Sequence, residues 1–258
     1  MTRTMDERLW ELDALRGIAI LMMIAFHVLF DLDYFGIATF DVKAGFWFYF
    51  ARATATIFLL LVGISLTLSY SRALQHVKKP EQQKLYRKYL TRGSKIFAWG
   101  LVITAMTRIF LRDGFVVWGI LHCIGISIIV AYPVVKLRYG NLVLGLGLVA
   151  LGMYVKSITV TLPWLLWLGV TPDKFHSVDY FPILPWLGVV LIGVFLGNSL
   201  YTNYTRGFKL HDRSQVEGIR LLRFLGRHSL LIYLIHQPLL ITALYLIDLV
   251  TTGTLGFL

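Results

Sequence analysis

The stretch LDALRGIAILMMIAFHVLFDLDYFG, Leu12 to Gly36, decides the fold class. It is long and apolar enough to carry a helix across the hydrocarbon core of a bilayer, which takes about 20 residues at 1.5 Å each. Yet it holds Asp13, Arg16, His27, Asp31 and Asp33. An ionisable group inside a span is costly, so it turns toward the interior of a helical bundle, finds a partner and marks a candidate site. Working outward from this helix, placed at 12–35, further apolar runs predict spans at 45–69, 94–112, 115–135, 141–156, 181–200 and 228–250. No alternating ten-residue pattern of a transmembrane barrel is present.

Composition agrees. The 258 residues are 57% hydrophobic and 15% charged, and the mean hydropathy is +0.69, which excludes an ordinary soluble domain. The expectation is an all-α polytopic membrane protein, a single domain over 1–258 built as a bundle of about seven transmembrane helices, or eight if Ile158 to Val170 crosses. That last stretch is short and holds Pro163, Trp164 and Trp167, so it reads as an outer re-entrant or interfacial segment. The first run follows a mixed-charge segment and lacks a small-residue cleavage site, so it is expected to stay in the mature protein. The lone cysteine, Cys123, permits no disulfide framework or cysteine metal cluster within one chain and reads as a core residue.

The net charge of +11 follows the spans rather than a nucleic-acid face. With the N-terminus cytoplasmic, the inner segments hold 18 basic residues: Arg3, Arg8, Arg72, Lys78, Lys79, Lys84, Arg87, Lys88, Arg92, Lys95, Lys136, Arg138, Arg206, Lys209, Arg213, Arg220, Arg223 and Arg227. The outer half holds 6, namely Lys43, Arg52, Arg108, Arg112, Lys156 and Lys174. The positive-inside rule fixes that orientation. The inner surface suits anionic membrane lipid or a phosphorylated cytoplasmic ligand. Two inner loops, Ser71–Gly93 and Thr202–Arg227, read as amphipathic helices along the membrane surface, the first broken at Pro80.

Depth sorts the polar residues. At 1.5 Å per residue, His27 lies about 12 Å and Asp31 about 6 Å from the outer end of the first helix, Arg52 about 10 Å, Arg108 about 6 Å and His122 about 10 Å from theirs. Four helices thus offer ionisable groups to one outer-half layer. His27 and Asp31 stand four apart on one helix face, where a carboxylate can orient an imidazole and raise its basicity, as a general base requires. Arg52 reads as a salt-bridge partner for Asp31 or Asp33 or as a substrate contact, and Arg108 and His122 as substrate contacts or structural groups. Arg16 sits about 16 Å below His27, where it can snorkel, pair with Asp13 or clamp a phosphate. His236 and Gln237 lie mid-membrane beside Pro238, as channel lining for a ligand or as a hydrogen-bond node. No His-Glu-x-x-His, cysteine pair or acidic triad suggests a metal.

LDALRGIAILMMIAFHVLFDL, with TIFLLLVGISLTLSYSRAL (Thr56–Leu74), VWGILHCIGIS (Val117–Ser127), DYFPILPWLGVVLIGVFLG (Asp179–Gly197) and LGRHSLLIYLIHQPLLI (Leu225–Ile241), resembles transmembrane acyltransferases of the heparan-alpha-glucosaminide N-acetyltransferase catalytic-domain-like group. The spacing of Arg16 and His27, with ten residues between, is shared with the wider acyltransferase superfamily. The resemblance implies transfer of an acyl group, acetyl above all, from cytoplasmic acetyl-CoA or another acyl-CoA to an amine or hydroxyl of a sugar or glycolipid on the outer side. It implies His27 as general base or acyl carrier and Asp31 as its orienting partner. Asp13, Arg16, His236 and Gln237 would bind the donor, and Arg52, Arg108 or His122 would stabilise the oxyanion. One departure is visible: in the lysosomal enzyme of the group the catalytic histidine follows the first helix, whereas this chain has no histidine between His27 and His76. The expected setting is a prokaryotic plasma membrane, with membrane lipid as partner, no nucleic acid, no metal, and a homodimer allowed. The competing reading is a proton-coupled transporter or exporter using His27, Asp31 and His236 as a relay.

Overall fold

Eight α-helices carry the described chain: α1 (Trp10–Tyr34), α2 (Gly45–His76), α3 (Gln82–Phe110), α4 (Ile120–Ala131), α5 (Arg138–Val155), α6 (Ile183–Leu200), α7 (Glu217–Arg227) and α8 (Ser229–Thr252). The structure, a computed structural model, describes residues 9–76, 82–111, 114–158, 163–173 and 175–252. Arg3, Arg8, Lys78, Lys79, Arg112, Lys174, the break expected at Pro80 and residues 159–162 lie outside the described residues.

Each of the seven expected spans falls on a helix, and α1, α2, α5, α6 and α8 are long and apolar enough to cross a membrane by length and composition. The chain is an all-α polytopic membrane protein. The surface helix expected over 71–93 is instead the end of α2 and the start of α3; Leu85 and Tyr89 are buried in the first turns of a 29-residue helix. The second one forms as α7, with Leu221 and Phe224 exposed on it. The described part of the 158–170 stretch is a short 3-10 turn, Pro163–Leu165, followed by turns, so it is not a helical span. It folds back through Ile183 N–H to Trp167 O, and Val170 and Leu184 share an apolar cluster with Val155.

The chain divides into two compact units, Met1–Phe58 with Leu210–Leu258, and Leu59–Lys209, the first boundary falling inside α2. In hydrocarbon there is no hydrophobic drive to bring helices together, so packing relies on small residues that let backbones approach. In the first unit α1 meets α7 in this way. A methyl group on Gly17 would fall 2.0 Å from the Leu222 carbonyl oxygen, and one on Gly226 would fall 1.8 Å from that of Asp13. In the second unit Gly63 of α2 faces Val190 of α6, Gly93 of α3 faces Gly125 of α4, and Gly145 of α5 faces Gly188 of α6.

α1 begins with Glu11 and Asp13 in its first turn, where acidic groups complement the helix dipole. It ends at Gly36, whose φ of 70° lies in the left-handed region that suits glycine at a helix terminus. Asp33 closes this exit, its Oδ1 accepting the Phe40 N–H at 2.9 Å. This explains one of the five charges of the opening stretch.

Candidate functional site

Two polar clusters lie along α1. The first joins α1 to α8. The imidazoles of His27 and His236 meet edge to face, ring centroids 4.7 Å apart. The Nδ1–H of His27 donates to the Met23 carbonyl oxygen at 2.9 Å, and that of His236 donates to the Tyr233 carbonyl oxygen at 2.6 Å. Both rings are therefore held by their own helix in the tautomer that carries its lone pair at Nε2. One turn beyond His27, Asp31 is 3% exposed and accepts a hydrogen bond at 3.2 Å from Gln237 Nε2. Asp31 Oδ2, Gln237 Oε1 and His236 Nε2 are buried without a hydrogen-bond partner among the described residues.

This geometry changes the expected pairing. Asp31 engages Gln237, and the Met23 carbonyl orients His27, whose side chain leans toward the turn preceding it as helical side chains do. The carboxylates of Asp31 and Asp33 accept from Gln237 and from the Phe40 N–H. The Arg52 guanidinium lies 4.8 Å over the Phe48 ring one turn earlier on α2, in the same unit as His27.

The second cluster lies three turns below, where α1 meets α7. Asp13, its side chain 4% exposed, accepts from Arg16 NH1 at 2.6 Å and from Arg227 Nε at 3.2 Å. Arg16 thus takes the Asp13 pairing among its three expected roles. Both guanidiniums are partly exposed, Arg16 at 25% and Arg227 at 39%. Arg223, one turn back on α7, donates to the Ser214 carbonyl oxygen at 2.8 Å. Arg227 has no spacing relation to Asp13 in the sequence, being 214 positions away, and the only hint of it was the basic residue closing an amphipathic run.

Arg108 and His122 belong to the other unit. Arg108, in the last turn of α3, holds its guanidinium 4.7 Å over the Phe115 ring. His122, 1% exposed, occupies the first turn of α4, and its Nδ1 accepts the Gly119 N–H at 3.1 Å. Trp118 stacks on it at 5.4 Å and Phe97 meets it edge-on at 5.1 Å. A paired loop positions this corner: Phe181 N–H donates to Trp118 O, Val178 N–H to Gly114 O, and Ile120 N–H to Asp179 Oδ2. Tyr180, whose hydroxyl donates to the Leu166 carbonyl oxygen, has its acidity suppressed by burial to a pKa of about 12.

Set against known proteins, residues 8–238 match the sequence model of the catalytic domain of heparan-alpha-glucosaminide N-acetyltransferase, and the chain belongs to that family of membrane acetyltransferases. No curated protein and no solved structure matches it.

Proposed function

We propose that this member of the heparan-alpha-glucosaminide N-acetyltransferase catalytic family moves the acyl group of a cytoplasmic acyl-CoA, acetyl-CoA first, to an amine or hydroxyl of a sugar or glycolipid on the opposite side of the membrane. The observation that carries the reading is the pair of imidazoles on α1 and α8, each with Nδ1–H tied to a backbone carbonyl and its base nitrogen, Nε2, left for chemistry. The groups around them, Asp31 Oδ2 and Gln237 Oε1, are acceptors too. A cluster of acceptors fits a nucleophile that arrives carrying hydrogens, which describes an amine or a hydroxyl.

His27 Nε2 takes the proton of the acceptor N–H or O–H as that nitrogen or oxygen attacks the thioester carbon. The tetrahedral intermediate then breaks its carbon–sulfur bond, and the departing CoA thiolate recovers the proton from His27. His236 and the Asp31–Gln237 pair hold the acceptor's remaining hydrogens and so aim its lone pair. A negative Asp31 also favours the imidazolium that forms at His27. Arg52, on the same unit, is the candidate for the oxyanion.

The lower cluster suits the donor's phosphates. Arg16 and Arg227 converge on Asp13 with their guanidiniums still partly exposed, and a guanidinium fork matches phosphate geometry. The distance along α1 from Arg16 to His27, eleven residues or about 16 Å, is one that an extended pantetheine arm can span. The charge asymmetry of the sequence supports the Arg16 end as the cytoplasmic one.

Proteoliposomes given labelled acetyl-CoA on the Arg16 side and glycan or glycolipid extract on the other test the reading. Wild type is expected to label an acceptor and His27→Ala to lose the transfer. Undiminished transfer by His27→Ala removes that residue from the chemistry. Movement of a small molecule down a pH gradient with no CoA dependence replaces the reading by the proton-coupled transporter.

A further inference from the structure

The α3–α4 corner of the second unit holds three buried polar atoms that the proposed reaction leaves unused: Trp118 Nε1, His122 Nε2 and Thr104 Oγ1, each without a hydrogen-bond partner among the described residues. Two of them belong to one stack of rings. Trp118 is stacked on His122, and Gly100 of α3 abuts the same imidazole so closely that a methyl group there would fall 2.9 Å from its Cε1. Thr104 stands one turn along from Gly100 on the same face of α3.

The hydrogens of these groups define what they bind. His122 Nδ1 accepts from the Gly119 N–H, so the neutral ring carries its hydrogen at Nε2 and is a donor there. An indole N–H only donates, and a threonine hydroxyl can do so. A buried donor left unmatched is costly, so a cluster of them selects for an oxygen that accepts. The surroundings choose a neutral one. The Asp179 carboxylate caps Ile120 beside this corner and disfavours an anion, while Arg108 of α3 turns its guanidinium onto the Phe115 ring.

We propose that Thr104, Trp118 and His122 form a binding site for a carbonyl oxygen, the amide or ester group of a neutral portion of a ligand. A carbonyl has two lone pairs and a flat substituent plane, and the stacked Trp118–His122 pair with Phe97 supplies flat apolar walls beside the donors. Two sources carry this chemistry into a membrane protein: the amides of a pantetheine arm and the ester linkages of a lipid.

Calorimetric titration of the whole protein in a maltoside detergent separates them and does not depend on turnover, so a failure of acyl transfer leaves the isotherms interpretable. The probes are pantetheine, a short-chain diester phosphatidylcholine and its diether counterpart. Trp118→Phe keeps the aromatic plane and removes the N–H; Thr104→Val keeps the shape and removes the hydroxyl; Thr104→Ser restores it. The expected result is an affinity about five- to tenfold weaker in Trp118→Phe and in Thr104→Val, the loss of one hydrogen bond each, with Thr104→Ser close to wild type. Weakening toward pantetheine identifies an amide ligand, and weakening toward the diester but not the diether lipid identifies an ester ligand. The site is overturned if no carbonyl probe binds, if both deletion variants bind every probe as wild type does, or if Thr104→Ser loses as much as Thr104→Val.

Discussion

His27 and His122 are the same side chain on helices of one membrane protein, and a single backbone partner gives them opposite chemistry. The Nδ1 of His27 faces the Met23 carbonyl and must donate, which leaves a lone pair at Nε2. The Nδ1 of His122 faces the Gly119 N–H and must accept, which leaves a hydrogen at Nε2. Their neighbours follow suit: Asp31 Oδ2, Gln237 Oε1 and His236 Nε2 around the first are acceptors, and Trp118 Nε1 beside the second is a donor. A ring in the middle of a helix has only carbonyls within reach on the preceding turn, whereas a ring in the first turn has unsatisfied N–H groups. Position along the helix therefore sets whether a histidine serves as base or donor.

The largest test of that contrast is His27→Gln. Glutamine keeps length and polarity but cannot take up a proton, so kcat for acyl transfer should fall about 10²- to 10⁴-fold, the range of a lost general base. A labelled-acetyl assay with saturating acyl-CoA reads it. A variant within threefold of wild type would make His27 a packing residue and end the comparison.

Next comes Asp31→Asn, which turns one buried acceptor into a donor in the α1–α8 cluster while leaving Oδ1 to accept from Gln237. Removing a carboxylate that is 3% exposed should stabilise the fold by about 1–3 kcal/mol while lowering kcat. Opposite movement of thermal midpoint and turnover would mark a group kept for chemistry. If the midpoint falls instead, the carboxylate belongs to the scaffold.

The two sites also differ in how they are held. The lower α1 cluster sits at the backbone contact with α7 at Gly17 and Gly226, whereas the His122 corner is tied by loop hydrogen bonds through Phe181, Asp179 and Gly119. Gly226→Ala places a methyl group against the Asp13 carbonyl and should destabilise the protein by about 1–3 kcal/mol, the cost of overpacking. Gly218→Ala, on the same helix but with nothing within 4 Å of the added carbon, serves as the control and should be neutral or slightly stabilising. Equal thermal midpoints for the two would mean that α7 does not pack on α1 as described.

Much of the first site was legible because it is local. An apolar run of helical length and an offset of four put His27 and Asp31 on one face, and an offset of three paired Asp13 with Arg16. Arg227 and Gln237 reach α1 from more than two hundred residues away, and no periodicity encodes such a meeting. The second site was hidden by a boundary. With a helix expected from 115, His122 stands two turns inside it; the helix starts at Ile120, which moves His122 into the first turn and leaves Trp118 in the loop before it. Loops 114–119 and 176–181 pair through Trp118 and Tyr180, a long-range contact between two segments that carry no helical signal. The surface helix expected over 71–93 failed for a related reason: Leu85 and Tyr89 have amphipathic spacing, but their apolar side is buried at the start of a long α3.

The smallest effect, and the most discriminating, is expected at His122 itself. Its ring accepts the N-cap N–H of α4 from the third helical position, the place where glutamine and glutamate close a capping box. His122→Gln can therefore reproduce both halves of the residue's role, its oxygen taking the Gly119 N–H and its amide N–H facing the Trp118 side. Stability should fall by about 0.5–1.5 kcal/mol, the ring contacts with Trp118 and Phe97 that glutamine cannot make. His122→Leu loses those contacts and also leaves the cap unmade, and should cost about 1 kcal/mol more. The same glutamine that keeps the cap here is the one expected to silence His27, so one substitution at two positions asks directly whether an imidazole is being used for its lone pair or for its hydrogen.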